Sequence, residues 1–173
     1  MWVMDAPHAE TGAAQAALFA DLCDYTRLTE ELGDAAAARM ALELRRIAVS
    51  IARRHHGRVV KTLGDGVHLH FAKPADAVRA SLALLCQIGA CELPRARVGV
   101  NAGPMIAAGG DYYGRAVNIA ARIAAKAAPG EVLVSAQVVE AARRDELRFE
   151  DVGAAELKGV ARPVALYRAH RAG

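Results

Sequence analysis

Two strand-like segments, Arg58 to Thr62 and Gly66 to Phe71, flank the tight sequence Leu63-Gly64-Asp65-Gly66. An Asp-Gly turn between two such runs is a short-range signal for a β-hairpin, and a hairpin commits the chain to an antiparallel sheet. Before it lies the apolar run Ala16-Ala17-Leu18-Phe19-Ala20, which reads as a buried strand delivering Asp21 at its C-terminal end. Two helical patterns separate this strand from the hairpin. In the second, Asp34 is expected as the N-cap, and Met40, Leu44, Ile47 and Ile51 recur at helical spacing. Arg53-Arg54-His55-His56 suits the negative end of the helix dipole, with Gly57 as the stop.

Downstream, Pro74 opens another helix with Val78, Leu82 and Leu85 as its expected buried face. Ala96 to Ala102 and Met105 to Ala108 read as strands around Gly103-Pro104, and Gly114 to Ala128 as an Ala-rich helix closed by Pro129-Gly130. Glu131 to Ser135 is a strand, followed by a short helix. The tail carries strand-like segments near Phe149 and at Val164 to Tyr167, separated by Leu157-Lys158-Gly159. The order βααββαββαβ with a β-rich tail predicts an α/β sandwich, helices packed on a largely antiparallel sheet. Residues 1–14 are expected as a flexible leader and residues 15–173 as one domain.

Composition narrows the functions. With 54% hydrophobic and 24% charged residues, the 173-residue chain is globular in type. Its net charge of +3 is mild and its basic residues are dispersed, so no nucleic-acid footprint is indicated. Only four lysines occur, Lys61, Lys73, Lys126 and Lys158, in an Ala-, Gly- and Arg-rich chain of the kind that high-GC bacterial genomes encode. Cys23, Cys86 and Cys91 lack metal-ligand spacing, and their odd number argues against a disulfide framework. No apolar run reaches membrane-spanning length and no signal pattern is visible, so a cytoplasmic protein is expected.

Asp21 and Asp65 each end or interrupt an apolar β segment, where an uncompensated carboxylate is costly to bury. Oxygen ligands of this kind suit Mg²⁺ or Mn²⁺. The ordinary alternative, a helix cap and a turn residue, stays open on these two positions alone. Lys61 on its strand reads equally as a snorkelling edge residue. Asn118 and Arg122, one helical turn apart and flanked by Arg115 and Lys126, read equally as a solvated helix face.

In combination these residues carry a resemblance. Phe19-Ala20-Asp21-Leu22, Lys61-Thr62-Leu63-Gly64-Asp65-Gly66 and Asp111-Tyr112-Tyr113-Gly114-Arg115-Ala116-Val117-Asn118-Ile119-Ala120-Ala121-Arg122 resemble the three signature blocks of class III adenylate cyclase catalytic domains. Leu157-Lys158-Gly159-Val160, Pro163-Val164 and Leu166-Tyr167 resemble that family's C-terminal strand pair. The match runs from about Ala16 to Arg168, with the blocks in family order. It implies a ferredoxin-like α/β sandwich and the conversion of ATP to 3′,5′-cyclic AMP in signal transduction.

The resemblance also implies roles. Asp21 and Asp65, with the Leu22 carbonyl, correspond to the ligands of two divalent metal ions, Mg²⁺ or Mn²⁺. These ions serve an in-line attack of the ribose 3′-hydroxyl on the α-phosphate. Lys61 and Asp111 correspond to the base-reading pair: an ammonium complements adenine N1 and a carboxylate its amino group, whereas guanine reverses both polarities. Asn118 and Arg122 correspond to the residues that orient the ribose and stabilise charge developing at the α-phosphate. Lys158 would reach the terminal phosphates, and the backbone amides of Cys23, Asp24, Tyr25 and Thr26 would cradle them. In the family the site is shared across a head-to-tail dimer; this chain carries both sets of residues, so a homodimer with two active sites is implied.

Three departures from the family stand out. Asp24 replaces the usual Gly beside the metal aspartate, and Tyr25 replaces the usual Phe. The segment Ala107 to Gly110 is short compared with the dimer-embracing arm of animal membrane cyclases, which implies a weak dimer, assembled by substrate. Rival readings are a non-catalytic nucleotide-binding or dimerisation module on the same scaffold, a guanylate cyclase, and a diguanylate cyclase. The last rests on Gly109-Gly110-Asp111, but Tyr112-Tyr113 breaks that signature and leaves Asn118 and Arg122 without a role.

Overall fold

The long apolar run at the N-terminal side becomes an inner strand of a seven-stranded sheet, third from one edge. In the computed structural model, which describes residues 8–9, 14–143 and 146–173, the elements follow in the order β1 (His8–Ala9), β2 (Gln15–Leu22), α1 (Tyr25–Leu32), α2 (Asp34–Arg54), β3 (Gly57–Thr62) and β4 (Gly66–Phe71). Then come α3 (Pro74–Ala90), β5 (Ala96–Gly103), β6 (Ile106–Ala108), β7 (Asp111–Tyr113) and α4 (Arg115–Lys126). The chain closes with β8 (Val132–Ser135), α5 (Ala136–Ala142), β9 (Leu147–Ala155) and β10 (Val164–Arg171).

The large sheet has the order β3-β4-β2-β5-β8-β10-β9. Its first four strands are mutually antiparallel and arranged as in a ferredoxin-like sandwich. Among the described strands only β5 and β8 pair in parallel, so the expected largely antiparallel α/β sandwich is what forms. A small sheet, β1-β6-β7, stands apart as a hairpin with a third strand on its edge. Of the expected leader, residues 1–7 and 10–13 lie outside the described residues, while His8–Ala9 supplies that edge strand.

Strand alternation sorts β2 onto two faces. Ala16, Leu18, Ala20 and Leu22 enter the main core with Leu44, Ile47 and Ile51 of α2 and Val78, Leu84 and Ile88 of α3. Ala17 and Phe19 point the other way, towards Ala116, Val117 and Ala120 of α4. That both faces are covered explains why β2 reads as continuous rather than alternating hydrophobicity.

Several local expectations shift. Gly33, not Asp34, is the N-cap of α2, and Asp34 occupies its first turn. His55 is the C-cap, and His56 takes the left-handed conformation expected of Gly57. Gly57 itself starts β3 beneath the Phe71 ring, which a Cβ there would strike. The buried stripe of α3 centres on Ala77, Ala80, Leu84 and Ile88, while Leu82 and Leu85 pack only at its edge. Helix α4 closes on β5 over Gly99, where a side chain would collide with the helix backbone at Ala120 and Ala124. That clearance sets the position of the helix bearing Asn118 and Arg122.

Candidate active site

Asp21 lies near the end of β2, opposite Gly66 on β4 and Arg97 on β5. The Leu22 N–H donates to the Asp65 carbonyl (2.9 Å) and the Leu63 N–H to the Gly66 carbonyl (2.8 Å). These bonds fasten the hairpin tip against β2 and bring the two aspartates to one corner. Gly66 leaves room for the carboxylate, since a Cβ there would run into Asp21 Oδ1. Burial raises the Asp21 pKa above the usual carboxylate range; Arg97 opposes the shift and the charge of Asp65 adds to it.

A half-buried carboxylate repelled by a second one is stabilised by a cation between them. This all-oxygen pair fits a hard divalent ion such as Mg²⁺ or Mn²⁺. Among the described residues no group of three or more His, Cys, Asp or Glu side chains is placed to hold a metal. Two side-chain carboxylates leave room in the shell of a six-coordinate ion for carbonyl, water or phosphate oxygens.

Arg97 is a member of this corner that the sequence reading does not single out. It stands directly across the ladder from Asp21 and donates from Nη1 to the Ala125 carbonyl (3.2 Å) near the C-terminal end of α4. The only signal in the sequence is a cation within a strand pattern, and its proximity to Asp21 depends on which strand pairs with which.

Beyond Leu22 the chain turns into α1. The Cys23 N–H already donates to the Arg95 carbonyl (2.7 Å), so the amides left to face a phosphate are those of Asp24, Tyr25 and Thr26. Asp24 sits at φ 58°, ψ 18°, the left-handed region that favours glycine. Its carboxylate makes no cap hydrogen bond and lies 3.7 Å from Arg27 along α1. Tyr25 fills its position with a purpose: its hydroxyl donates to the Ala37 carbonyl (3.0 Å) and ties α1 to α2.

Lys61 and Asp111, fifty residues apart, meet as an ion pair with Nζ to Oδ2 at 2.8 Å. Asp111 Oδ1 also accepts the Tyr112 N–H (2.7 Å). The hydrogen bond from Lys61 is the main reason that the Asp111 pKa falls below its ordinary value. Stacked rings form the floor beside the pair: Phe19 on His68 at 4.3 Å and Tyr112 on His70 at 3.9 Å. The Arg58 guanidinium lies 4.9 Å from the Tyr112 ring centre.

Asn118 and Arg122 lie on the exposed side of α4, whose buried side carries Ala116, Val117, Ile119, Ala120 and Ile123. Lys158 is exposed in the turn between β9 and β10. Among the described residues, no hydrogen bond or ion pair links Asn118, Arg122 or Lys158 to Asp21 or Asp65. The chain thus presents an acidic corner, the Lys61–Asp111 ion pair and an exposed polar face of α4.

Over residues 9–170 the chain matches the family described as the adenylate and guanylate cyclase catalytic domain. The chain belongs to this family. An uncharacterised protein of Mycobacterium tuberculosis is 36% identical to the cyclase domain over 157 residues, covering 88% of this chain and 40% of that protein. A protein of Rhizobium meliloti named putative adenylate cyclase 3 is 34% identical over 160 residues, covering 88% of this chain and 27% of its own length. The domain therefore spans less than half of these curated relatives. The crystal structure of the adenylyl cyclase CyaB from P. aeruginosa superimposes with a TM-score of 0.79 at 26% identity, covering 91% of this chain and 93% of that one. Among the described residues of the cyclase domain, no helix is long and apolar enough to cross a membrane.

Proposed function

We propose that this domain is an adenylate cyclase, forming 3′,5′-cyclic AMP and pyrophosphate from ATP at sites shared by two copies of the chain. The observation that carries the reading is the Lys61–Asp111 pair at 2.8 Å, a donor beside an acceptor in the polarity that adenine requires and guanine reverses. The Asp21 and Asp65 carboxylates, with the Leu22 carbonyl, would hold two Mg²⁺ or Mn²⁺ ions, which supply charge neutralisation for the triphosphate and a more acidic ribose 3′-hydroxyl. Arg97, across the strand from Asp21, adds positive charge where the phosphates would lie. The amides of Asp24, Tyr25 and Thr26 donate to phosphate oxygens, and Lys158 reaches the terminal ones.

Asn118 orients the ribose, and Arg122 neutralises the charge that develops at the α-phosphate as pyrophosphate leaves. A preorganised donor of this kind contributes about 3 kcal/mol to a transition state. Among the described residues neither Asn118 nor Arg122 bonds to Asp21 or Asp65 within one chain, in keeping with a site completed by the partner copy, with monomers inactive. The short turn Gly109-Gly110 between β6 and β7 gives a small arm, in keeping with a weak dimer.

Cyclic AMP formation from ATP and Mn²⁺ by a demonstrably dimeric sample tests the proposal; a dimer that yields none is a non-catalytic nucleotide-binding module. Lys61→Glu replaces the adenine donor with an acceptor and is expected to lower kcat/KM for ATP by about a hundredfold. Unchanged ATP turnover would reject the base-reading assignment, and faster turnover of GTP than ATP by the unaltered protein would make it a guanylate cyclase.

A further inference from the structure

Beside the Lys61–Asp111 pair lies a group for which the proposed chemistry has no use. His68 stands on β4 opposite Lys61 on β3 and Phe19 on β2. It is fully buried, and its ring stacks on Phe19 nearly parallel, at 9°. Among the described residues neither Nδ1 nor Nε2 has a hydrogen-bond partner. The defect is local, because His70, two residues along the same face, bonds to Gln15 Oε1 at 2.6 Å.

A neutral imidazole carries one N–H and one bare nitrogen, so a donor and an acceptor are both left unpaired. Buried polar groups in folded proteins are nearly always satisfied, and an orphan marks a place where a water, an ion or a ligand group can pair. Burial keeps this ring neutral by depressing its pKa to about 4, although Asp111 pulls the other way. A neutral ring that can exchange tautomers suits a partner presenting both a hydrogen-bond acceptor and a donor. The edge of a purine presents both.

Lys61 and Asp111 now satisfy each other, and each must turn from the other to read a base. His68 lies directly across the β3–β4 ladder from Lys61, so a nucleotide that parts the pair arrives beside this ring. We infer that His68 is a further base-binding residue, pairing with the purine edge once the nucleotide has parted Lys61 from Asp111. The inference rests on the adenine-reading role proposed for those two residues. It also accounts for the stack on Phe19, which fixes the ring plane while leaving both nitrogens free to pair.

His68→Phe keeps the ring and its stack but removes both nitrogens; His68→Gln keeps a donor and an acceptor. The expected result for His68→Phe is a KM for ATP raised about tenfold with kcat within about twofold, and a nucleotide-free protein that melts higher than the unaltered one, because an unpaired buried group is gone. His68→Gln should restore KM to within about threefold. An unchanged KM in His68→Phe overturns the inference. So does a lowered melting temperature in both variants with KM raised equally, the pattern of a purely structural residue. Lys61→Glu run in parallel separates the failures: if it cuts ATP use while His68→Phe is silent, only the role of His68 falls; if both are silent, the base reading falls with it.

Discussion

Gly99→Ala tests whether the seat of α4 on the sheet governs both stability and the helix face proposed for catalysis. A Cβ at position 99 would lie 2.6 Å from Ala124 Cα and 2.7 Å from the Ala120 carbonyl oxygen, and nearer still to the Ala124 nitrogen. All three are helix backbone atoms, which no rotamer change can move. Restoring ordinary contact distances requires α4 to rise by roughly 1 Å, loosening the contacts of residues buried beneath it. Ala120, Ile123 and Ala124 are fully buried there. Overpacking of this kind costs about 3 kcal/mol. For a chain of this length that lowers the melting temperature by roughly 6–12 °C. The same displacement moves Asn118 and Arg122, and a misplacement of about 1 Å reduces kcat on the order of a hundredfold. Gly103→Ala on the same strand is the control, since its Cβ would meet only the Ala116 methyl at 3.1 Å. It should cost under about 1 kcal/mol and leave kcat within about threefold. The measurements are urea denaturation and cyclic AMP formation. A Gly99→Ala protein within about 0.5 kcal/mol of the parent would refute the packing argument.

Two further outcomes are expected. His68 and His70 are both held neutral by burial, with pKa values near 4 instead of 6.5. The unfolded chain therefore takes up protons that the folded one refuses. Above about pH 6.5 both rings are neutral folded or unfolded and carry no penalty; as pH falls towards 4 each comes to cost on the order of 2–4 kcal/mol of stability. Equilibrium unfolding of His70→Gln across that window should show a shallower loss than the parent; an equal slope would refute it. Asp24→Gly removes a left-handed non-glycine residue and a negative charge beside the proposed phosphate turn. It should stabilise the protein by about 1 kcal/mol in thermal melts and lower the KM for ATP severalfold. A raised KM would show that Asp24 assists nucleotide binding.

The hairpin around Asp65 and the strand ending in Asp21 were legible in the sequence because each is written in contiguous residues: an apolar run, then a turn residue or an acid. The face of α4 was legible for the same reason, Asn118 and Arg122 being one turn apart. Helix ends were read less well. Asp34 has the side chain of a cap, but Gly33 occupies that place because the chain leaves α1 at φ 87°, a conformation suited to glycine. In α3 almost every residue is small or apolar, so periodicity could not say which stripe faces inward. The sheet chose Ala77, Leu84 and Ile88.

What the sequence by itself determined was the inventory: which acids end strands, which amides begin α1, which cations share a helix turn, and the family that such a set resembles. Strand pairing decided the rest, because it joins residues that no local rule connects. It set Arg97 across from Asp21 and brought Lys61 to Asp111. It also buried His68 with both nitrogens unpaired, although a histidine in an apolar run reads as an ordinary strand residue. The physical reason lies in range: propensity and periodicity act over a few residues, whereas desolvation and charge pairing act between whichever residues the sheet places side by side.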